Sequence, residues 1–217
     1  MGTAFCVKSV FSFRTARIRR DFAPGSPILR RFLAEQVPVL RWIGFFAEYG
    51  GDDVIEAIAL KIEEEEPDFA HMIVRHPASL LLLDPSRGLV FDKVIDPVPG
   101  NGGLTLLLER AAAVSRGRFA PADIEESVPG DGKMIHIAFS NAGRAHHFDL
   151  RSDVRHAVFD FVSKLSDATA DDGGMFVIPM IFGKYNALAH ITRDDHAILT
   201  ERLRWQIWVR PDSTTQV

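Results

Sequence analysis

The clearest pattern of hydrophobic and polar positions lies between Lys133 and Arg151, in the segment KMIHIAFSNAGRAHHFDLR. Apolar residues occupy every second position on both sides of a short stretch that contains Asn141 and Gly143. A period of two is typical of half-buried strands, and asparagine and glycine tolerate the positive φ that a tight turn needs. The sequence therefore predicts a β-hairpin.

The register of this hairpin follows from its apolar faces, because a slip of one residue would turn every side chain to the opposite face. On the outer face, the register that buries most places His136 opposite Asp149 and His147 beside Ala138. Three pairs then point inward: Ile135 with Leu150, Ile137 with Phe148, and Phe139 with His146.

The outward pair suggests chemistry. A carboxylate beside an imidazole fixes the tautomer and stabilises the charged form of the ring, as a general base or a metal ligand requires. His136, Asp149 and His147 are therefore the candidate catalytic residues of a small hydrolase or metal-dependent enzyme. The competing interpretation is a cross-strand polar pair on a solvated sheet face, which contributes at most about 1 kcal/mol. We favour that second interpretation, because no further catalytic group joins the pair.

Upstream of the hairpin, the pattern predicts an opening strand over residues 5–13 and then two helices. The first helix spans Pro27–Tyr49 and is interrupted at Pro38, which lacks an N–H donor. The second follows Asp52 or Asp53 as its cap and buries Val54, Ile55, Ile58 and Ile62. Next come two strands, Ser79–Leu83 and Leu89–Ile95, and a short helix, Leu104–Val114.

Downstream, Ser152 or Asp153 caps a helix that turns Val154, Val158, Phe161, Val162 and Leu165 toward the core. Two strands follow, Met175–Phe182 and Tyr185–Ile191; Pro179 places the former at an edge or a bulge. Thr192 and Asp195 are spaced as a near capping box for a helix that ends at Leu203. The segment Trp205–Val209 is predicted as the last strand.

These elements predict an α+β fold, with a mainly antiparallel sheet and helices packed on one face. The chain is long enough for one domain of 217 residues. A lobe boundary is expected at about 117–132, because residues 121–132 are rich in Pro, Gly, Asp and Glu. It would separate an N-terminal lobe, 1–118, from a C-terminal ββαββαβ lobe, 133–210, and the two lobes could be related.

Composition narrows the function. The net charge of −4 and the pI near 6.1 argue against a nucleic-acid-binding protein. Cys6 is the single cysteine, which fits a reducing compartment, and we find no signal peptide and no apolar run that could span a bilayer. We therefore expect a cytoplasmic protein without a membrane association.

Recurrent catalytic motifs are absent from the sequence: it has no G-x-S-x-G elbow, Walker loop, G-x-G-x-x-G or H-E-x-x-H. We accordingly expect no cofactor. His190, Asp194 and His196 are an alternative set of metal ligands, because imidazoles and carboxylates together can hold a divalent ion such as zinc. The start of a helix favours aspartate in any case, which explains this region without a metal.

Acidic and aromatic residues supply the candidate partner-binding surface. Four consecutive glutamates at the end of a helix oppose its dipole, so their presence there suggests a basic partner, although a solvated helix end is the simpler explanation. A tryptophan on the face of its strand opposite the other apolar residues could anchor an interface. The candidate residues are Glu63, Glu64, Glu65, Glu66, Asp123, Glu125 and Trp208.

The sequence thus favours a non-enzymatic protein-binding module that neutralises or regulates a protein partner. An intracellular, mildly acidic α+β protein without a catalytic motif has the general character of a bacterial immunity protein, which masks a toxin. No residue motif supports that comparison beyond the class. The small hydrolase or metal-dependent enzyme is the alternative.

Overall fold

The structure is a computed structural model that describes residues 25–51, 53–65, 70, 73–92, 102–130, 132–151, 157–170, 173–179, 181–182 and 185–207. Helices combine with two antiparallel sheets, which confirms the predicted α+β class. The chain divides into two compact units, Met1–Asp84 and Pro85–Val217. This division lies upstream of the predicted lobe boundary at 117–132, and that segment belongs wholly to the second unit.

Five α-helices, one 3₁₀ helix and seven strands are described. The helices are α1 (Pro27–Trp42), α2 (Val54–Glu65), the 3₁₀ helix (Pro77–Leu83), α3 (Gly103–Val114), α4 (Ala157–Thr169) and α5 (Arg193–Glu201). The strands are β1 (Gly88–Asp92), β2 (Ala122–Ser127), β3 (Met134–Asn141), β4 (Arg144–Arg151), β5 (Gly174–Val177), β6 (Ile181–Phe182) and β7 (Tyr185–Thr192). Among the described helices, none has the length and apolar character needed to cross a bilayer.

In the first unit, α1 runs through Pro38 and ends at Trp42, so the predicted helix to Tyr49 is too long. The chain then turns, with Phe46 in the left-handed region at φ 57°. The backbone N–H of Phe46 donates to Oδ2 of Asp84 over 2.6 Å, and both residues are buried. This contact, distant in sequence, holds a conformation that a large side chain rarely adopts.

Helix α2 buries Val54, Ile58 and Ile62 as predicted, whereas Ile55 is only half-buried. The predicted strand Ser79–Leu83 is wrong, because this segment forms the 3₁₀ helix. A short, uniformly apolar run suits a buried helical turn as well as a buried strand, and periodicity cannot separate the two. Pro77 at the first helical position favours the helical choice.

In the second unit, β7 is the central strand of a four-stranded sheet. It pairs with β1 on one side and with β5 and β6 on the other, in each case antiparallel. The predicted strand Met175–Phe182 is therefore divided into β5 and β6, with Pro179 between them. Proline cannot donate to a ladder, which explains the interruption.

The outer side of β5 is closed by a side chain from α4. The hydroxyl of Ser166 donates to the carbonyl oxygen of Phe176 over 2.7 Å and accepts from its N–H over 3.1 Å. One serine thus satisfies both backbone groups of a strand residue on the side that does not face β7.

The second sheet has the order β2-β3-β4. The hairpin of β3 and β4 has the predicted register, with His136 paired with Asp149 and Ala138 with His147. Strand β2 was not expected, because it lies in the polar segment predicted as a lobe boundary. It is a mostly exposed edge strand with an irregular register between Ala122 and Glu125, so burial leaves little trace in its sequence.

The core of the second unit lies between the inner face of the hairpin, α3 and α4. Helix α3 confirms the predicted Leu104–Val114 helix, and Phe161, Val162 and Leu165 of α4 are buried as predicted. Edge-to-face contacts link Phe119 to both Phe139 and Phe176, with ring centroids 5.7 Å apart in each pair. This packing leaves the opposite face of the hairpin to solvent.

The capping box at the start of α5 is confirmed. Thr192 Oγ1 accepts from the Asp195 N–H over 3.0 Å, and Asp195 Oδ2 accepts from the Thr192 N–H over 2.9 Å. The predicted last strand is wrong for residues 205–207, which have no regular structure and follow α5 with the Trp205 N–H bonded to the Leu199 carbonyl. The opening strand at 5–13, the helix cap at 152–153 and Trp208 lie outside the described residues.

Candidate functional site

The side chains of His136, His147 and Asp149 form a cluster on the hairpin. Nδ1 of His136 lies 2.6 Å from Oδ1 of Asp149, and Nε2 of His147 lies 2.8 Å from the same oxygen. Residues 147 and 149 share a face of β4, and His136 is the direct cross-strand neighbour of Asp149. The predicted pair is therefore confirmed in position, and His147 completes it as a third member.

The cluster is open to solvent. The exposed fraction of the side chain is 33% for His136, 52% for Asp149 and 61% for His147. The two imidazole rings are nearly parallel, with 17° between their planes and 6.1 Å between their centroids. One carboxylate oxygen thus orients two rings side by side on the sheet surface.

The cluster also sets the charge of Asp149. The hydrogen bond from His136 lowers the pKa of the Asp149 carboxyl below its ordinary value, and the bond from His147 adds to the effect, against an opposing contribution from desolvation. The carboxylate is therefore ionised at neutral pH. An ionised oxygen that accepts two imidazole N–H bonds can hold both rings in one tautomer, or release them to a ligand that binds in their place.

Two of the predicted partner-binding residues lie on the same surface. Glu125 is exposed and pairs across β2 and β3 with Ala138, the residue that also pairs with His147. Oδ2 of Asp123 accepts a hydrogen bond from the Ser140 hydroxyl over 3.0 Å, and the backbone of Asp123 is left-handed at φ 53°. We call this surface the hairpin face; it comprises Asp123, Glu125, His136, Ser140, His147 and Asp149.

Within the predicted acidic run at the end of α2, Glu63 is bound by groups of the first unit. Glu63 is nearly buried, and its Oε1 accepts from the Gly25 N–H over 2.6 Å and from Nη1 of Arg30 over 2.9 Å. Arg30 also pairs with Glu56 over 2.6 Å, and this hydrogen bond lowers the pKa of the Glu56 carboxyl. Glu64 is exposed. The described part of the structure does not include the side chain of Glu65, or residues Glu66 and Trp208.

The alternative metal ligands His190, Asp194 and His196 do not form a cluster. His190 is buried against Phe176, whereas Asp194 is exposed. Burial lowers the pKa of His190 to about 4, with further lowering by Arg87 and Arg118 and an opposing effect of Asp195. Within the described residues, the one group of three or more possible ligands with converging donor atoms is His136, His147 and Asp149.

Sequence reasoning missed Arg87. Its Nη2 lies 3.2 Å from Oδ2 of Asp195 and 3.1 Å from the carbonyl oxygen of His190, and the pair is buried. Asp195 therefore both caps α5 and neutralises a buried guanidinium. The two residues are 108 positions apart, and nothing in the local pattern around Arg87 indicates the contact.

Comparison with known proteins assigns this chain to no family. No protein-family model matches the chain, and neither the curated proteins nor the solved structures contain a significant match. The geometry of the hairpin face is thus the basis for any functional conclusion.

Proposed function

We propose that this chain is a non-enzymatic protein-binding module that neutralises or regulates a protein partner through the hairpin face. The observation that carries the proposal is the fixed arrangement of polar groups on that face. Asp149 holds His136 and His147 in place, and Ser140 holds Asp123.

Fixed groups favour binding because association costs conformational entropy. Immobilising a flexible side chain at an interface costs about 0.5–1.5 kcal/mol, and a group that is already held loses less. The side chains of the hairpin face are attached to paired strands, which position groups more accurately than loops do. The face therefore offers a partner a set of hydrogen-bonding groups at a low ordering cost.

The charge of the hairpin face selects the kind of partner. Asp123, Glu125 and Asp149 contribute three carboxylates, and Asp149 stays ionised because its pKa is lowered. Arg151, which pairs with Met134 at the end of the hairpin, places a positive charge on the same side. An acidic surface of this kind attracts a basic protein and accelerates the encounter with it.

The exposure of the cluster favours binding over hydrolysis. A general base acts on a substrate that is held in a cleft from which water is excluded. His136, His147 and Asp149 are instead between one-third and about three-fifths exposed on a sheet face. A hydrolase that uses these residues stays a prediction, with less support from the geometry than the binding module.

The proposal can be tested by cross-linking and affinity purification with the full chain as bait in an extract of its native host. The triple variant Asp123→Asn, Glu125→Gln, Asp149→Asn removes the negative charge of the hairpin face without changing side-chain size. We expect one basic protein to be recovered with the original chain and at least tenfold less with this variant. Glu48→Gln, which neutralises an exposed carboxylate of the first unit, is the matched control and should retain the protein.

Hydrogen exchange on the purified complex supplies a second readout. Binding at the hairpin face should slow amide exchange in β3 and β4, since a bound partner covers these strands. Equal recovery of every protein by the triple variant and the original chain would contradict the proposal. Protection confined to the first unit would do so as well.

A further inference from the structure

We propose that the hairpin face also carries a binding site for a divalent first-row transition ion, represented by Zn²⁺, with Nδ1 of His136, Nε2 of His147 and a carboxylate oxygen of Asp149 as its ligands. This inference does not rest on the proposed partner. It follows from the donor set and from the way in which the two strands present it.

The three donor atoms already converge. Both imidazole nitrogens approach the same oxygen, at 2.6 and 2.8 Å, and the possible ligand atoms of the three residues all lie within 4.8 Å of one another. An ion bound between the three donor atoms would replace the two hydrogen bonds with three coordinate bonds, and each imidazole would then carry its proton on its other ring nitrogen.

The backbone places these side chains firmly. Strands β3 and β4 each have eight residues and are paired along their whole length. His136 and Asp149 are direct cross-strand neighbours, and His147 lies two residues from Asp149 on the same face. Direct neighbours have Cβ atoms about 4.5–5.5 Å apart, which suits two residues that share one ion.

Ion binding requires the three donor atoms to rearrange. Zinc binds imidazole nitrogen and carboxylate oxygen at about 2.0–2.2 Å in tetrahedral sites, so its ligand atoms lie about 3.3 Å from one another. The present N···O separations of 2.6 and 2.8 Å would need to lengthen by about 0.5–0.7 Å, and the two imidazole nitrogens, which lie within 4.8 Å of each other, would need to lie about 3.3 Å apart. All three side chains are partly exposed, so rotation about χ1 and χ2 can supply that change without moving the backbone.

The donor types select the class of ion. Two imidazole nitrogens and one carboxylate oxygen suit Zn²⁺, Co²⁺, Ni²⁺ and Cu²⁺, whereas Ca²⁺ and Mg²⁺ prefer oxygen ligands throughout. Three protein ligands leave one position of a tetrahedral ion open. On an exposed sheet face, water or a donor atom from another molecule can occupy it.

A competing explanation is a hydrogen-bonded trio that binds no ion. Isothermal titration of the full chain with ZnCl₂ separates the two explanations. We expect one ion per chain, and at least a tenfold loss of affinity for each of the variants His136→Ala, His147→Ala and Asp149→Asn. His76→Ala removes an exposed imidazole of the first unit and is the matched control, which should bind as the original chain does.

Co²⁺ provides an independent spectroscopic readout. A four-coordinate site should give the intense visible absorption of tetrahedral Co²⁺, which Zn²⁺ should abolish by displacement and which excess Mg²⁺ should leave unchanged. Circular dichroism of each variant checks that the hairpin is still folded. The proposal is overturned if no saturable binding occurs, or if folded variants at positions 136, 147 and 149 bind Zn²⁺ as tightly as the His76→Ala control.

Discussion

The imidazole of His190 occupies the space above Gly174 on the neighbouring strand. A Cβ atom built on Gly174 would lie 2.6 Å from Nε2 and 3.1 Å from Cε1 of His190. The ring also meets Phe176 edge to face, with 5.0 Å between the centroids. Position 174 therefore requires glycine because a buried ring packs closely against it. A left-handed backbone is not the reason, since the φ of Gly174 is not in that region.

Replacing Gly174 with alanine should destabilise the second unit by about 1–3 kcal/mol, because the added methyl group overpacks a buried contact. Urea denaturation followed by circular dichroism measures the change. Gly130→Ala is the control, since its Cβ would meet nothing within 4 Å, and it should change the free energy of unfolding by less than about 0.5 kcal/mol. In a His190→Ala background, Gly174→Ala should destabilise the protein much less. An undiminished loss of stability there would show that the clash with the His190 ring is not the cause.

The stability of the protein should fall as the pH is lowered from about 6.5 toward 4. The folded state holds His190 neutral with a pKa of about 4, whereas the unfolded chain has the ordinary value of 6.5. The unfolded state therefore binds more protons in this window, and up to about 3 kcal/mol of stability is lost across it. Burial lowers the pKa of His196 as well and acts in the same direction.

The comparison of His190→Phe with His76→Ala checks this pH dependence. Denaturation at pH 7 and at pH 5 should show a smaller difference for His190→Phe than for the original chain. His76→Ala keeps His190 in place and is the control for the removal of an exposed imidazole. An unchanged slope in His190→Phe would refute the assignment.

Loss of the Asp195 side chain should be far more costly than loss of its capping partner. Thr192→Ala removes one capping bond, at about 1 kcal/mol. Asp195→Ala removes the reciprocal bond and also breaks the buried ion pair with Arg87, for which about 3–5 kcal/mol is typical. Thermal and urea denaturation of the two variants give the comparison, and equal losses would mean that the Arg87–Asp195 pair contributes little.

In the first unit, Asp84→Ala should destabilise the turn after α1. The variant leaves the buried N–H of Phe46 without its acceptor, at a cost of about 1–3 kcal/mol, and the left-handed conformation of Phe46 then lacks its support. Glu48→Ala, an exposed carboxylate of the same turn, is the control. Hydrogen exchange should report faster exchange of the Phe46 amide in Asp84→Ala alone.

The hairpin could be predicted down to individual residue pairs. The alternation of apolar residues in both strands and the residue types of the turn indicate the same structure. The register that buries most sets Ile137 against Phe148, and the structure has that register. The same reasoning located the capping box of Thr192 and Asp195, since both halves of that motif lie within four residues. Local agreement of several signals is what made these predictions succeed.

Other features depend on information that the local pattern does not contain. Residues 80–83 are four consecutive leucines without a period, so strand and 3₁₀ helix are equally compatible with them. Strand β2 buries too little to produce an alternation, and its pairing is decided by the neighbouring hairpin. The roles of Arg87 and Glu63 depend on partners 108 and 33 residues away. Glu63, which was predicted to bind a partner, forms an ion pair with Arg30 in this structure.

Ser166 has a consequence for self-association. A strand at the border of a sheet can recruit a strand from another molecule through its unpaired N–H and C=O groups, and this is a common route to aggregation. At Phe176 both groups are already occupied by one hydroxyl from the adjacent helix, so an incoming strand would have to displace that hydroxyl before it could add to β5. A single serine can in this way keep a strongly apolar strand from acting as a template.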